Sequence, residues 1–352
     1  VKQRYELLEK IARHTLKLSF QYTQTDVTAK VPEAHRWYNW DWSIGIAFYG
    51  LGRVAEVLED SSYLVAMKKW IDARLQNPHQ LPPVCVNTTA LLPTVLQLQK
   101  TFGNEKYSLL CQKFDRYLMH ETERTPGGAL AHTVIGKNYA GEVWADTLFM
   151  SVLYLYQRGL LLQNQNFVSE AMRQFELHLN CLFDQKSGLF FHGWDDLNKK
   201  PLGVKWGRGN AWALASFVEF AGLSPVIWAE WLDIIHQHVA KLVSLQTAEG
   251  LWRTVLDNPE TYPEVSATAG IAYALLKGMN LGLFDTAYLP VVRKALDALI
   301  KNIDAEGNVL GGSTGTPVKA GALEYNQVPC RVTPFTQGLT LLALSESLFL
   351  RD

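Results

Sequence analysis

Six stretches of this 352-residue chain contain no Asp, Glu, Lys or Arg: residues 42–52, 86–99, 147–157, 209–218, 265–276 and 332–345. Each is rich in Ala, Leu, Gly, Thr and aromatic residues, and each is shorter than the ~18 apolar residues a membrane span requires. Such a run suits a helix buried on nearly all sides. Between these runs lie segments with one apolar face and one charged face. Residues 61–76 set Leu64, Met67, Ile71 and Leu75 at helical spacing opposite Lys68, Lys69, Asp72 and Arg74. Residues 104–120 repeat the pattern with Tyr107, Cys111, Phe114 and Leu118, and residues 286–301 with Leu289, Val292, Leu296 and Ile300. Residues 225–245 do so with Trp228, Trp231, Ile235, Val239 and Leu242, and residues 2–20 and 167–182 complete the set. These read as one-sided amphipathic helices with a wet face.

The chain therefore alternates outer and inner helices, six of each. The inner segments begin near Tyr38, Val86, Glu142, Trp206, Glu264 and Pro334, a spacing of roughly 59 residues that marks a repeated helical unit. Six such hairpins can close into a ring, with the inner helices filling the centre. The expected fold is all-α, an (α/α)6 barrel occupying residues 1–352 as one domain; an open helical solenoid is the alternative. No stretch alternates in the manner of a strand-rich domain, and short hairpins are expected only near residues 188–192 and 307–312.

The formal charge of −1 lacks the basic excess needed to bind nucleic acid or an anionic membrane surface. Cys85, Cys111, Cys181 and Cys330 are widely spaced and form no CxxC pair, so neither a metal site nor a disulfide framework is indicated. A reducing compartment is the simpler reading. The first 20 residues are charged and amphipathic and do not resemble a signal peptide. The chain is expected to be soluble and cytoplasmic. Its oligomeric state is not fixed by the pattern.

Each inner segment opens with polar or aromatic residues. In order they are Tyr38-Asn39-Trp40-Asp41-Trp42, Asn87-Thr88-Thr89, Glu142-Val143-Trp144-Ala145-Asp146, Trp206-Gly207-Arg208-Gly209-Asn210-Ala211-Trp212, Glu264-Val265-Ser266-Ala267-Thr268 and Thr333-Pro334-Phe335-Thr336-Gln337. In a ring of hairpins all six converge on one end. Helix N-termini present free N–H groups and a positive dipole end, so the pit favours an anionic ligand. Plainer readings exist for each residue. Asp146 fits an N-terminal capping role, and the indoles fit core packing. Single histidines such as His132 and His192 are commonly satisfied core residues. Gly207-Arg208-Gly209 lacks the Gly-Lys-Ser/Thr of a phosphate loop. His192-Gly193-Trp194-Asp195-Asp196 fits a turn better than a metal cluster.

The motifs Trp144-Ala145-Asp146-Thr147-Leu148-Phe149-Met150, Trp206-Gly207-Arg208-Gly209-Asn210-Ala211-Trp212, Leu251-Trp252-Arg253-Thr254-Val255-Leu256-Asp257 and Glu264-Val265-Ser266-Ala267-Thr268-Ala269 together resemble the glycoside hydrolase family 105 unsaturated rhamnogalacturonyl hydrolases, from about Trp40 to the last helix. That family shares its mechanism with the related family 88 unsaturated glucuronyl hydrolases. The resemblance implies an (α/α)6 barrel and a substrate oligosaccharide, left by a polysaccharide lyase, with a 4,5-unsaturated uronic acid at its non-reducing end. The reaction it implies hydrates the C4=C5 double bond, after which the ring opens and the glycosidic bond is lost. No metal or organic cofactor is implied.

On this resemblance Asp146 is the catalytic acid/base and Arg208 a partner for the uronate carboxylate. Trp144, Trp206, Trp212, His132 and His192 line the sugar site, with Trp40 and Trp42 as a further wall. The family's second aspartate has no counterpart in Val86-Asn87-Thr88-Thr89. Asn87 can take its hydrogen-bonding place, and Asp41 can supply a nearby charge. Three alternatives remain: action on glycosaminoglycan or ulvan fragments, a sugar epimerase working through paired histidines, and a barrel that binds sugar without turnover.

Overall fold

Among the described residues, twelve principal helices alternate as the charge pattern predicts. The structure, a computed structural model, describes residues 2–31, 33–76, 82–224 and 229–350. The inner helices are Trp42–Val57, Leu92–Phe102, Leu153–Leu162, Gly207–Leu223, Val265–Asn280 and Pro334–Ser347. The outer ones are Lys2–Ser19, Ser62–Leu75, Glu105–Arg116, Gln165–Leu182, Ala229–Ser244 and Leu289–Lys301. Residues 225–228, with Trp228 of the fifth amphipathic segment, lie outside the described residues.

Each inner helix packs on the next, and Pro334–Ser347 packs on both Val265–Asn280 and Trp42–Val57, so the ring closes and the open solenoid is excluded. The first and last inner helices meet at glycine: a Cβ on Gly50 would sit 2.5 Å from the Gly338 carbonyl oxygen. That close approach is why these helices can carry no large side chain at the contact. The N-terminal helix Lys2–Ser19 packs over this closure, placing Leu8, Ile11 and Ala12 in the core.

The connections are unequal at the two ends of the barrel. Inner helices lead to outer ones through short turns such as 58–61, 103–104 and 163–164. Outer helices return through long segments, 183–206, 245–264 and 302–333 among them. These long segments therefore lie at the end where inner helices begin. Among the described residues, no helix is long and apolar enough to cross a membrane, and all four cysteines are free thiols.

Three inner starts differ from the sequence expectation: the second, expected near Val86, forms a separate short helix, Val86–Thr89, before the inner helix begins at Leu92. Glu142–Trp144 is a β-strand, paired antiparallel with Gly193–Asp195, which in turn pairs with Lys200–Leu202. Val143 and Trp144 suit a pleated, half-buried position, and the strand is tied off where Ala145 N–H donates to the His192 carbonyl. The third inner helix begins only at Asp146 and opens through a π-helical turn, Leu148–Val152. The first starts at Trp42, capped by Asp41, with Tyr38 closing a short separate helix, Ala34–Tyr38. The expected hairpin near 188–192 forms between Phe183–Asp184 and Leu189–Phe190; near 307–312 only an isolated bridge, Ile303 to Val309, is present.

Candidate active site

Asp146 stands just beyond the strand Glu142–Trp144, as the first residue of a helix. Its Oδ2 lies 3.4 Å from His192 Nε2, and its side chain is 14% exposed. Burial works to raise its carboxyl pKa, but His192, His132 and Arg208 outweigh burial and hold it below the usual carboxylate range. The group is therefore ionised at neutral pH in the unliganded protein.

His192 is fully buried. Its ring lies 4.1 Å from that of Trp206 and edge-on to Trp144. Its backbone joins the two motifs, because its carbonyl accepts from Ala145 while its N–H donates to the Val204 carbonyl. Its Nδ1 is 2.6 Å from the hydroxyl of Tyr325. His132 is stacked flat on Trp144 at 4.3 Å, and its Nδ1 is 3.0 Å from Thr147 Oγ1. Burial lowers both imidazoles, His132 to about 4, so both are neutral. Trp144 donates from Nε1 to Glu142 Oε2 at 2.7 Å and is covered by Tyr139 at 4.4 Å.

Arg208 is fully buried between Trp206 and Phe335, at 4.5 and 4.7 Å from the two rings. Its terminal nitrogens donate to Ser266 Oγ, to Ser313 O and Oγ, to Thr314 O and to Thr316 Oγ1, and Glu264 stands 3.8 Å away. Glu264 in turn caps the helix Val265–Asn280 by accepting from Ser266 and Ala267. Only Nε of Arg208 has no protein partner. The arginine thus has protein oxygens at both ends of its fork, where the sequence reading gave those ends to a substrate carboxylate. What it supplies to the pit is a positive charge felt by Asp146 and His192.

The other expected residues divide. Trp212 is fully buried against Phe149. Trp40 faces the outer helix, its ring 6.5 Å from Trp70 and its Nε1 donating to Thr88 O. Trp42 stacks on Phe335 at 4.6 Å and, of the five expected indoles, alone keeps appreciable exposed surface. Asn87 is buried in the short helix Val86–Thr89. Asp41 accepts from Trp42 N–H, burial pushes its carboxyl up to about 6, and its charge bears on Cys85. Asp195 and Asp196 shape a turn, accepting backbone N–H groups of Leu197, Asn198 and Gly127. Among the described residues no group of three His, Cys, Asp or Glu could hold a metal ion.

Of the seventeen buried side-chain polar atoms without a hydrogen-bond partner among the described residues, five lie on these motifs: Asp146 Oδ2 and His192 Nε2, which face each other, and Trp206 Nε1, Arg208 Nε and Trp212 Nε1. Buried polar groups are normally paired, and these atoms have hydrogen-bonding capacity left over. Sequence reasoning missed Tyr325, Tyr139 and the Ser313–Thr316 cradle. They lie in a five-residue helix, a three-residue strand and a loop, elements too short to show a periodicity; Glu264 and Ser266 stood inside a quoted motif but carried no assigned role.

The model describing Glycosyl Hydrolase Family 88 matches residues 15–350. The chain belongs to glycosyl hydrolase family 88. An unsaturated rhamnogalacturonyl hydrolase, YesR of Bacillus subtilis (strain 168), is 34% identical over 88% of this chain and 90% of its own length. An unsaturated 3S-rhamnoglycuronyl hydrolase of Formosa agariphila is 26% identical over 96% of this chain and 95% of its own. A solved structure described as a possible member of family 105 from Salmonella enterica serovar Paratyphi A superposes with a TM-score of 0.90, at 28% identity, covering 99% of this chain and 94% of that one. As a family 88 member the protein is a glycoside hydrolase with the six-hairpin barrel.

Proposed function

We propose that the protein removes a 4,5-unsaturated uronic acid from the non-reducing end of lyase-generated oligosaccharides, with rhamnogalacturonan fragments as the preferred class. The observation that carries this is Asp146, a carboxyl group 3.4 Å from His192, whose ring packs against Trp144 and Trp206, and under the charge of Arg208. The preference follows the 34% identity to a rhamnogalacturonyl hydrolase. A second reading, unsaturated 3S-rhamnoglycuronyl fragments, is favoured by the 26% and 27% identity to two unsaturated 3S-rhamnoglycuronyl hydrolases.

The substrate's enol ether is electron-rich at C4. Asp146, protonated in the complex, delivers its proton to C4, and positive charge develops at C5 and the ring oxygen. The carboxylate so formed takes a proton from a water as that water adds to C5. A hemiketal results; it opens without further help and releases the rest of the oligosaccharide. Asp146 is left protonated, ready for the next cycle. Binding the uronate brings a like charge beside Asp146 and excludes water, and both effects raise its pKa in the complex. Because the reaction begins at the alkene, the carboxylate-spacing rule of ordinary glycosidases does not apply. Trp42 and Tyr139 offer ring surface to the sugar. One catalytic domain in a reducing, cytoplasmic compartment completes the reading.

The test is a panel of defined unsaturated disaccharides of rhamnogalacturonan, ulvan, chondroitin and heparin type, followed by the ultraviolet absorbance of the conjugated double bond. The expected result is fastest decay on the rhamnogalacturonan type. Binding without decay on every member would refute hydration.

A further inference from the structure

The segment that returns from the last outer helix to the last inner helix does two things at the site. Its residues Ser313, Thr314 and Thr316 receive Arg208. Farther on, the short helix Ala322–Asn326 inserts Tyr325, fully buried, against His192. The Tyr325 hydroxyl lies 2.6 Å from His192 Nδ1. The approach is prepared by the backbone: Gly203 adopts φ +71°, and a Cβ there would sit 2.5 Å from that hydroxyl. A side chain at this position would both strain the turn and displace the phenol.

The hydroxyl's own surroundings decide which way its proton points. The Lys319 N–H donates to it at 3.3 Å, and the backbone N–H of Val204 is also turned toward it. A phenol offers one proton and accepts through its oxygen. With backbone donors on the oxygen, the proton is left for His192 Nδ1. A neutral imidazole that accepts at one nitrogen carries its hydrogen on the other.

We propose that Tyr325 is a positioning residue that donates to His192 Nδ1 and so holds His192 as the Nε2–H tautomer facing Asp146. The opposite tautomer would aim a lone pair at the carboxylate and repel it. The inference rests on the reading of Asp146 as the acid/base. The other groups facing His192 are compatible with the assignment: Glu142 and Asp146 favour a proton on the ring, Arg208 and the neighbouring His132 oppose a second one, and burial keeps the ring neutral. Through His192, Tyr325 helps hold Asp146 ionised before substrate arrives, leaving protonation to be driven by binding.

The test uses protein labelled with 15N-histidine, with the His192 ring signals identified by their loss in His192→Gln. In the wild type at neutral pH the expected pattern is a protonated Nε2 and an unprotonated Nδ1. Tyr325→Phe keeps the ring and removes the hydroxyl; it should shift His192 toward the Nδ1–H form. The same variant should move the Asp146 ionisation upward in the pH profile of kcat/KM, with little change in melting temperature. A wild-type Nδ1–H pattern overturns the proposal without needing any variant to fold. So does a Tyr325→Phe protein whose ring signals and pH profile match the wild type. Because the spectrum needs no turnover, the expected tautomer in a protein inactive on every disaccharide would refute the hydrolase reading alone. An active enzyme with Nδ1–H would refute the tautomer assignment alone.

Discussion

His192 Nε2 and Asp146 Oδ2 face each other across 3.4 Å, and neither atom has another protein partner. The pair sits where a strand, a helix start and a β-ribbon meet, so its spacing is set by backbone bonds on both sides: Ala145 N–H to the His192 carbonyl, and His192 N–H to the Val204 carbonyl. A carboxylate that must exchange a proton with substrate profits from such a fixed neighbour and an otherwise free oxygen.

The first prediction concerns that oxygen. Asp146→Asn preserves shape and removes the proton-carrying group. Turnover of the preferred disaccharide should fall by ~10²–10⁴, the usual worth of a positioned acid/base. The melting temperature should stay within a few degrees of the wild type. The ultraviolet decay assay and a thermal melt check both. Near-normal decay in this variant would remove Asp146 from the mechanism.

Arg208 leads to a different expectation. Its fork is tied to five protein oxygens of Ser266, Ser313, Thr314 and Thr316. Arg208→Ala would leave those acceptors and the buried Glu264 without their cation, a change that costs ~3–5 kcal/mol when a buried charged partner is removed. Arg208→Lys keeps the charge but cannot reach the same set. Both variants should show lower denaturation midpoints as well as weaker substrate binding. A raised KM with unchanged stability would instead mean that the fork is free to hold the substrate directly.

Trp40 and Trp42 are two residues apart and make opposite predictions. Trp40→Phe loses a hydrogen bond to Thr88 O within the core; it should cost ~1 kcal/mol of stability and leave KM unchanged. Trp42→Ala removes a partly exposed ring stacked on Phe335. Loss of ~1 kcal/mol of ring contact corresponds to a KM about five- to tenfold higher. Steady-state kinetics beside chemical denaturation separates the two. An effect of Trp40→Phe on KM alone would reverse the assignment.

The ring of helices was legible because burial on all sides leaves a signature in charge: 265–276 has no ionisable residue but tyrosine and becomes the wholly buried part of Val265–Asn280. Glu142-Val143-Trp144 was misread as helix because it adjoins such a run; only its pairing with Gly193–Asp195, some fifty residues away, makes it a strand. Tertiary partners decide short apolar segments, and periodicity cannot. The same limit hid Tyr325. A lone tyrosine in a five-residue helix carries no sign that its hydroxyl will meet His192, 133 residues earlier. Arg208 was visible as a buried cation needing an oxygen partner, but the nearest oxygens came from the chain itself.

The last prediction is acid lability. His132, His178 and His238 are buried and neutral, each pushed down by burial to about 4. Unfolded histidines titrate near 6.5. Between these values the unfolded chain binds more protons than the folded one, so stability rises with pH across the window and is lost as pH falls from about 6.5 toward 4. Each residue contributes up to about 3 kcal/mol to that loss, and below about 4 the effect saturates. Urea midpoints measured every half unit from pH 7.5 to 4 should fall steeply below about pH 6.5. His238→Phe, whose ring would keep the edge contact with Phe190, should flatten the slope by about a third. A midpoint independent of pH over this window would show that these imidazoles do not stay neutral in the folded protein.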